Sequence, residues 1–211
     1  MMRLPLCHVE SYLLLELHTV FAGAAIKERR MTRNTLEASM TGMRSIWGPL
    51  GTEVVAGARE QMQRLVGAPA TEAWLAHLHR ARPPNEELYR DPEHGFVLLA
   101  HTEAPGLYRP PHDHGRSWVI YAVQQGEVEM GTYARVQAPD GTVRLVKRGA
   151  TMVRPGDVQV YLPGDIHDTR CISGPALLFR FTERDLKKED KEDGRVTRYV
   201  ECRGDWAAAC A

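Results

Sequence analysis

The sequence has no excess of charge of one sign: 27 lysines and arginines balance 27 aspartates and glutamates. This balance offers no basic surface for nucleic acid or for an anionic membrane. Cysteine is scarce, and no Cys-x-x-Cys pair occurs among Cys7, Cys171, Cys202 and Cys210. Scattered cysteines predict free thiols in a reducing compartment. We therefore expect a cytoplasmic protein that binds neither nucleic acid nor membrane.

Long apolar runs are also missing. Residues 11–25 form the most apolar N-terminal stretch, but Glu16 and His18 interrupt it, and it is too short to span a bilayer. Met31 begins a stretch that looks like an alternative start. We interpret residues 1–31 as a peripheral N-terminal extension and expect activity to survive the deletion of residues 1–30.

The remaining sequence divides into a helical part and a β-rich part. Apolar residues recur at helical spacing between 32 and 82, for example at Val54, Ala58, Met62 and Leu65. After residue 95, short alternating runs separated by Gly, Pro and Asp turns are typical of antiparallel strands. The predicted strands cover 96–103, 117–123, 127–137, 142–148, 158–162 and 176–182. We expect a helical segment over 32–90 that packs on a small jelly-roll barrel over 91–211.

The C-terminal part of the barrel region ends in a charged run. Residues 183–195 read ERDLKKEDKEDGR, which predicts a solvated helix or loop. A last short strand is predicted in the VTRYV sequence that follows. We interpret this region as a charged C-terminal tail of the barrel.

Two of the nine histidines, His112 and His114, are one residue apart at the head of a predicted strand. Side chains at i and i+2 share one face of a strand, so this pair can bind one metal ion. His77 and His79 have the same spacing but lie on a predicted helix, where i and i+2 point in different directions. His167, after a Pro-Gly turn, is the best third ligand.

These residues resemble the two motifs of the cupin superfamily. Four residues fit the first motif, Gly106, His112, His114 and Gly126, and four approximate the second, Gly156, Pro163, Gly164 and His167. The resemblance covers residues 96–183 and implies a mainly β double-stranded β-helix, to which the helical segment is added at the N-terminus. The motif's glutamate position holds Val119, so three neutral imidazoles remain without a carboxylate.

A three-histidine site in an HDHG sequence resembles the thiol dioxygenase branch, which includes cysteine dioxygenase. It is similar to predicted metal-dependent enzymes of the double-stranded β-helix class. The resemblance implies a mononuclear Fe(II) site, although Ni, Zn or Mn also fit the ligands. The implied activity oxidises a small thiol, with a carboxylate as its expected second group, to a sulfinate with O₂.

Residues for the substrate are less well defined by the resemblance. The Ser-x-His-x-Tyr run of cysteine dioxygenases corresponds to Leu178, Arg180 and Thr182 here, so cysteine itself is a doubtful substrate. Arg180 suits a carboxylate if it faces the metal, but it could also pair with Glu183 or Asp185 at the barrel rim. Tyr121 and Thr182 are the candidate acid–base groups. Two further candidates for substrate binding are Arg90 and Trp118.

Two other functions are compatible with three histidines. One is a cupin dioxygenase that cleaves a C–C bond of a diketone-like substrate. The other is a metal-dependent cupin that binds a small molecule without turnover. The identity of the bound metal separates these hypotheses, because iron favours an oxygenase. The sequence does not indicate an oligomeric state.

Overall fold

The computed structural model describes residues 33–202 and 205–208, except for residues 138, 140 and 142. The described residues from Asn34 onwards belong to one compact unit. The extension predicted over 1–31 lies outside the described residues, so its proposed peripheral role stays a prediction, as does the boundary at residue 31.

Three helices precede the sheet: α1 (Thr35–Ser45), α2 (Thr52–Val66) and α3 (Ala73–Ala81). Asn34 caps α1, because its side-chain oxygen accepts the backbone N–H of Glu37 at 2.9 Å. Gly51 precedes α2 and Gly67 follows it, and α3 ends at Arg82 in the left-handed conformation. Each helix turns one apolar face inward, as the spacing of its apolar residues predicts.

Seven strands form the main sheet. They are β1 (Glu86–Arg90), β2 (Val97–Glu103), β3 (Tyr108–His112), β4 (Val119–Gln137), β5 (Val143–Val153), β6 (Val158–Tyr161) and β7 (Ile166–Thr182). All of their pairings are antiparallel. The strands β4 and β7 are long because each continues through regions where the sequence predicts interruptions.

The two long strands take part in two layers. The first half of β4 pairs with β6 and with the end of β7, which also pairs with β2. The second half of β4 pairs with β5 and with the start of β7, and the start of β7 also pairs with β3.

We call the layer that contains β1, β2 and β6 the helix-side layer, and the layer that contains β3 and β5 the outer layer. Each contains one half of β4 and of β7.

The bend of β4 between the layers requires a glycine. The β4–β7 register shifts between Val123 and Val128, and Gly126 lies within this region at φ +78°. A Cβ atom at Gly126 would lie 2.8 Å from Ala176 and from the carbonyl oxygen of Ser173. A side chain is therefore excluded by both backbone conformation and space, which explains this glycine of the motif.

Alternation along the strands produces two buried clusters. Ile120, Ala122 and Phe179 face the helices and pack on Met62 and Leu65. The side chains at the intervening positions, such as Val119, Tyr121 and Leu178, face the space between the two layers. The helical segment thus covers one face of the helix-side layer, and the opposite face is available to a site.

The C-terminal region contains a short helix, α4 (Leu186–Lys191), and the hairpin of β8 (Tyr199–Cys202) and β9 (Asp205–Ala208). The predicted last strand is therefore present but begins at Tyr199. Cys171 is a buried free thiol, as the sequence predicts; the side chains of the other three cysteines lie outside the described residues.

The predicted fold class, a mainly β double-stranded β-helix with an N-terminal helical segment, is confirmed. Within the described ranges, no helix has the length and apolar character needed to cross a membrane. The cytoplasmic location stays a prediction.

Candidate metal centre

Three histidines converge at one end of the space between the layers. One ring nitrogen from each of His112, His114 and His167 lies within 4.8 Å of the others. The Nε2 atoms of His114 and His167 are 3.4 Å apart. The described residues include no other group of three histidine, cysteine, aspartate or glutamate side chains close enough to share an ion. The structure thus brings together the three ligands that the sequence predicts.

The way in which His112 and His114 meet differs from the expectation. His112 is the last residue of β3, whereas His114 lies in the loop before β4. The interpretation that one strand presents both rings is therefore wrong. The chain turns because the Asp113 carboxylate accepts the backbone N–H groups of Gly115 and Thr197. The turn still leaves the two ring centroids 5.3 Å apart.

All three imidazoles are held in the neutral form that metal ligands require. Burial lowers the pKa of His112, and burial with the neighbouring imidazoles and the Arg180 charge lowers the pKa values of His114 and His167 well below the usual range. The Pro110 carbonyl oxygen lies 2.9 Å from His112 Nδ1. A carbonyl can only accept, so Nδ1 carries the proton and Nε2 keeps its lone pair.

Two tyrosines pack against the cluster. The Tyr161 ring stacks on His167 with centroids 4.0 Å apart. The Tyr121 hydroxyl oxygen is 3.4 Å from His114 Nε2. Burial raises the pKa of Tyr121, an effect that the Arg180 charge opposes, so the phenol is protonated at neutral pH. The Tyr121 hydroxyl thus lies beside the histidine cluster, and the acid–base role expected for it stays a prediction.

Asp168 follows a ligand but points away from the cluster. Its carboxylate accepts the Gly131 backbone N–H at 2.8 Å and the hydroxyl groups of Tyr108 and Tyr133. Asp113 likewise bonds to the backbone rather than to the histidines. Both acids thus position the segments that carry ligands, and neither contributes a carboxylate to the metal site.

Arg180 lies on the inward face of β7, in the wall of a cavity of about 580 Å³ that also includes His112, His114 and Tyr121. In register, Arg180 is opposite Tyr121 of β4. The rim acids that could have paired with it are bound elsewhere, since Glu183 pairs with Arg184 and Asp185 with Arg90. Within the described part of the chain, Arg180 makes no ion pair, and its Nε atom has no hydrogen-bond partner.

Three other predicted residues lie outside the cavity wall. Thr182 is buried at the end of β7, where its hydroxyl donates to the Val97 carbonyl at 3.4 Å. Arg90 is at the surface and pairs with Glu87 and Asp185. Trp118 faces the helices and packs on Phe181, because it precedes β4 on the side opposite to Val119. Their positions do not favour contact with a substrate.

The cavity wall also contains polar residues for which the sequence reasoning assigned no role. His101 and Glu103 are buried on the inward face of β2, and Glu103 pairs with Arg109 at 2.8 Å. His101 therefore belongs to the cavity wall, although it has no partner at ligand spacing in the sequence. The sequence does contain a pattern that indicates these residues. The inward positions of β2 are apolar at Val97 but polar at His101 and Glu103, which is unusual for a buried strand face.

Lowering the pH from 7 to 5 is expected to destabilise the fold through His101. Burial, followed by the charges of Arg180 and Arg109, lowers the pKa of His101 to about 3. The unfolded chain has the ordinary value near 6.5, so in the window between these pKa values it binds more protons than the folded protein. Stability is therefore complete above about pH 6.5 and falls as the pH falls, by about 1–2 kcal/mol at pH 5.

Urea unfolding of metal-free protein at the two pH values measures this loss. His101→Gln removes the titrating group, and the three ligand histidines titrate equally in both proteins. The difference between pH 7 and pH 5 should therefore be smaller in the variant. Equal differences in the two proteins would contradict the assignment to His101.

Comparison with known proteins gives partial structural matches only. No protein-family model matches the chain, and no curated protein does. Among solved structures, KdgF from Halomonas sp. is 18% identical with a TM-score of 0.39, over 49% of this chain and 82% of that one. The Schizosaccharomyces pombe Cnp3 cupin domain is 15% identical with a TM-score of 0.38, over 52% and 69%.

Oxalate oxidase in complex with the substrate analogue glycolate is 23% identical with a TM-score of 0.35. That match covers 43% of this chain and 42% of the oxidase, less than half the length of either. At such low TM-scores, no statement about activity can rest on these similarities. Inference about function therefore depends on the geometry of the three histidines and of the cavity beside them.

Proposed function

We propose that His112, His114 and His167 hold a divalent metal and that the chain is a mononuclear non-haem Fe(II) dioxygenase of the thiol dioxygenase type. Its substrate is a small thiol with a carboxylate, which it oxidises with O₂ to a sulfinate. One observation carries the proposal: three neutral imidazoles converge beside a cavity that two of them, His112 and His114, line together with an arginine without an ion-pair partner among the described residues.

The donor atoms fit a metal ion. The Nε2 atoms of His114 and His167 come to 3.4 Å of each other, although both rings are neutral and buried. A cation shared by the three rings satisfies the lone pairs at this point. An Fe(II) ion held by three neutral imidazoles would keep its full positive charge and would supply the attraction for a thiolate and the reactivity towards O₂.

Arg180 supplies the second point of substrate attachment. A guanidinium group binds a carboxylate through two parallel hydrogen bonds, which fixes the orientation of the substrate. Because Arg180 shares the cavity with His112 and His114, a substrate held by its carboxylate can direct its sulfur towards the histidine cluster. Val119, where the related motif has glutamate, is buried and apolar, so this position adds no carboxylate ligand that would compete with the thiolate.

Tyr121 completes the polar part of the site. Its O–H is beside His114 and opposite Arg180 in the sheet. A protonated phenol can donate a hydrogen bond to a negatively charged oxygen or sulfur atom. We therefore assign to Tyr121 the role of orienting the bound anion, and to Arg180 that of binding its carboxylate.

Oxygen consumption by anaerobically Fe(II)-loaded protein tests the proposal. Cysteine, 3-mercaptopropionate and cysteamine are added separately, and the product is identified by mass spectrometry. Uptake of one O₂ per sulfinate with a carboxylate-bearing thiol is the expected result. Absence of uptake with every thiol, despite one bound iron per chain, would exclude this activity and favour C–C cleavage or binding without turnover.

Arg180→Gln is expected to weaken binding of 3-mercaptopropionate by about 10- to 100-fold, the usual effect of removing a charged hydrogen-bond partner. Metal content should not change, because Arg180 is not a ligand. Cysteamine, which has no carboxylate, is the matched control and should bind to both proteins equally. Equal weakening of both ligands would argue against a carboxylate site at Arg180.

A further inference from the structure

The charged segment after β7 forms part of the cavity wall, whereas the sequence predicts a solvated helix or loop. Leu186, Lys187, Asp190 and Lys191 of α4 line the cavity. The chain then passes beside the metal site, where His112 bridges to Arg198 and the Asp113 carboxylate accepts the Thr197 N–H at 2.8 Å. The segment is thus tied to the loop that carries a ligand.

Four acids of this segment are bound to arginine. Asp185 pairs with Arg90 at 2.8 Å. Glu189 is buried and lies 3.3 Å from Arg184 and 3.5 Å from Arg195. Asp190 forms two hydrogen bonds with Arg198, at 2.6 and 2.7 Å, and Asp193 pairs with Arg195. These pairs neutralise the acids and hold α4 in place over the cavity.

The lysines of α4 remain without such partners. In the part of the chain that the structure describes, neither Lys187 nor Lys191 makes an ion pair. They are four residues apart, so their side chains leave the helix on the same side, and both line the cavity. Lys188, between them, does not line it, although all three lysines are exposed. Two positive charges without an ion pair therefore stand at one side of the cavity, where the field of Lys187 reaches Asp185 and that of Lys191 reaches Asp190.

The cavity has room for a substrate that reaches both charged regions. Its volume of about 580 Å³ lies within the range of sites for drug-sized ligands. A three-carbon thiol acid fills only a small part of it. Arg180 on β7 and the lysines on α4 belong to different elements of the wall, so the lysines offer a ligand a second point of attachment.

We propose that the cavity takes a substrate with two separated anionic groups, one bound by Arg180 and the other by Lys187 and Lys191. This inference rests on the proposed function for the position of the first group. The second group is a carboxylate or a phosphate, and several bonds separate it from the first. Lys187 and Lys191 thus select the substrate by its distal charge.

Two matched ligands test this inference by calorimetry, without turnover. 2-Mercaptohexanoate and 2-mercaptoadipate have the same six-carbon skeleton, but only the second has a distal carboxylate. We expect Zn(II)-loaded protein, kept anaerobic, to bind 2-mercaptoadipate about tenfold more tightly at low salt, and this gain to shrink at higher ionic strength. An analogue with a distal phosphonate then separates carboxylate from phosphate recognition, since a larger gain assigns the distal group to phosphate.

The variant Lys187→Gln/Lys191→Gln should lose most of this gain and bind 2-mercaptohexanoate as before. Lys188→Gln removes a neighbouring charge of the same helix and should retain the gain. Equal affinity of wild type for the two ligands overturns the inference, as does an equal loss in Lys188→Gln. If oxygen uptake fails while the lysine-dependent gain is present, only the proposed oxygenase activity is excluded.

Discussion

His167→Ala is expected to abolish stoichiometric metal binding, with a loss of affinity greater than about 100-fold, since even residues that only support a ligand contribute 10- to 100-fold. The reason is geometric. Three ring nitrogens lie within 4.8 Å of one another, and the described residues offer no carboxylate to replace a missing one. His112→Ala and His114→Ala should have the same effect. Metal content after loading and dialysis, measured by mass spectrometry, gives the result.

His79→Ala is the control for this experiment. It lies in the second His-x-His sequence, but on α3, where His77 is exposed and near Glu86. One equivalent of metal should therefore remain bound. Metal lost from His79→Ala, or retained by His167→Ala with native circular dichroism, would show that the site lies elsewhere.

Asp168→Ala is expected to lower the free energy of unfolding by about 3 kcal/mol or more, because it leaves buried donors without acceptors. Only 6% of Asp168 is exposed, and its carboxylate accepts from the Gly131 backbone N–H, Tyr108 and Tyr133. These bonds hold the start of β7 against β4, beside His167. Urea unfolding of metal-free protein measures the change without a contribution from metal binding.

Asp165→Ala is the matched comparison for Asp168. Asp165 is exposed, and its carboxylate accepts one backbone N–H, from Leu162, in the turn before β7. We expect a loss of about 1 kcal/mol or less at this position. Similar losses at both positions would mean that the buried network around Asp168 contributes little.

The three histidines of the candidate site could be predicted from the sequence. The predicted position of two of them on one strand was wrong. Spacing and motif resemblance identified His112, His114 and His167. The geometric argument placed the first two on one strand, but the chain turns after His112. The turn depends on the bond from Asp113 to Thr197, 84 residues away in the chain, and local spacing contains no information about such a contact.

The prediction for Arg180 shows the same division. The sequence left open whether Arg180 faces inward, and the structure places it in the cavity wall. Whether it pairs with Glu183 or Asp185 could not be decided from the sequence, because both acids are equally near. In the structure these acids bind Arg184 and Arg90. Arg90, which binds Asp185, lies on β1, 95 residues away in the sequence.

The sequence by itself determined the fold class and the three histidines that the fold brings together. Strand alternation, turn residues and helical spacing act over a few residues, so they can be recognised without knowledge of long-range contacts. Motif glycines such as Gly126 belong to the same group, since a positive φ is a local requirement.

Only the tertiary structure decided which residues surround the metal site and which charges remain unpaired. The charged segment 183–195 has nearly balanced acids and bases, and nothing local distinguishes Lys187 and Lys191 from Lys188. In the folded chain Asp185 pairs with Arg90 and Asp190 with Arg198, whereas Lys187 and Lys191 line the cavity without an ion pair. Net charge at a site is a property of the assembled contacts, and it is therefore fixed only when the chain folds.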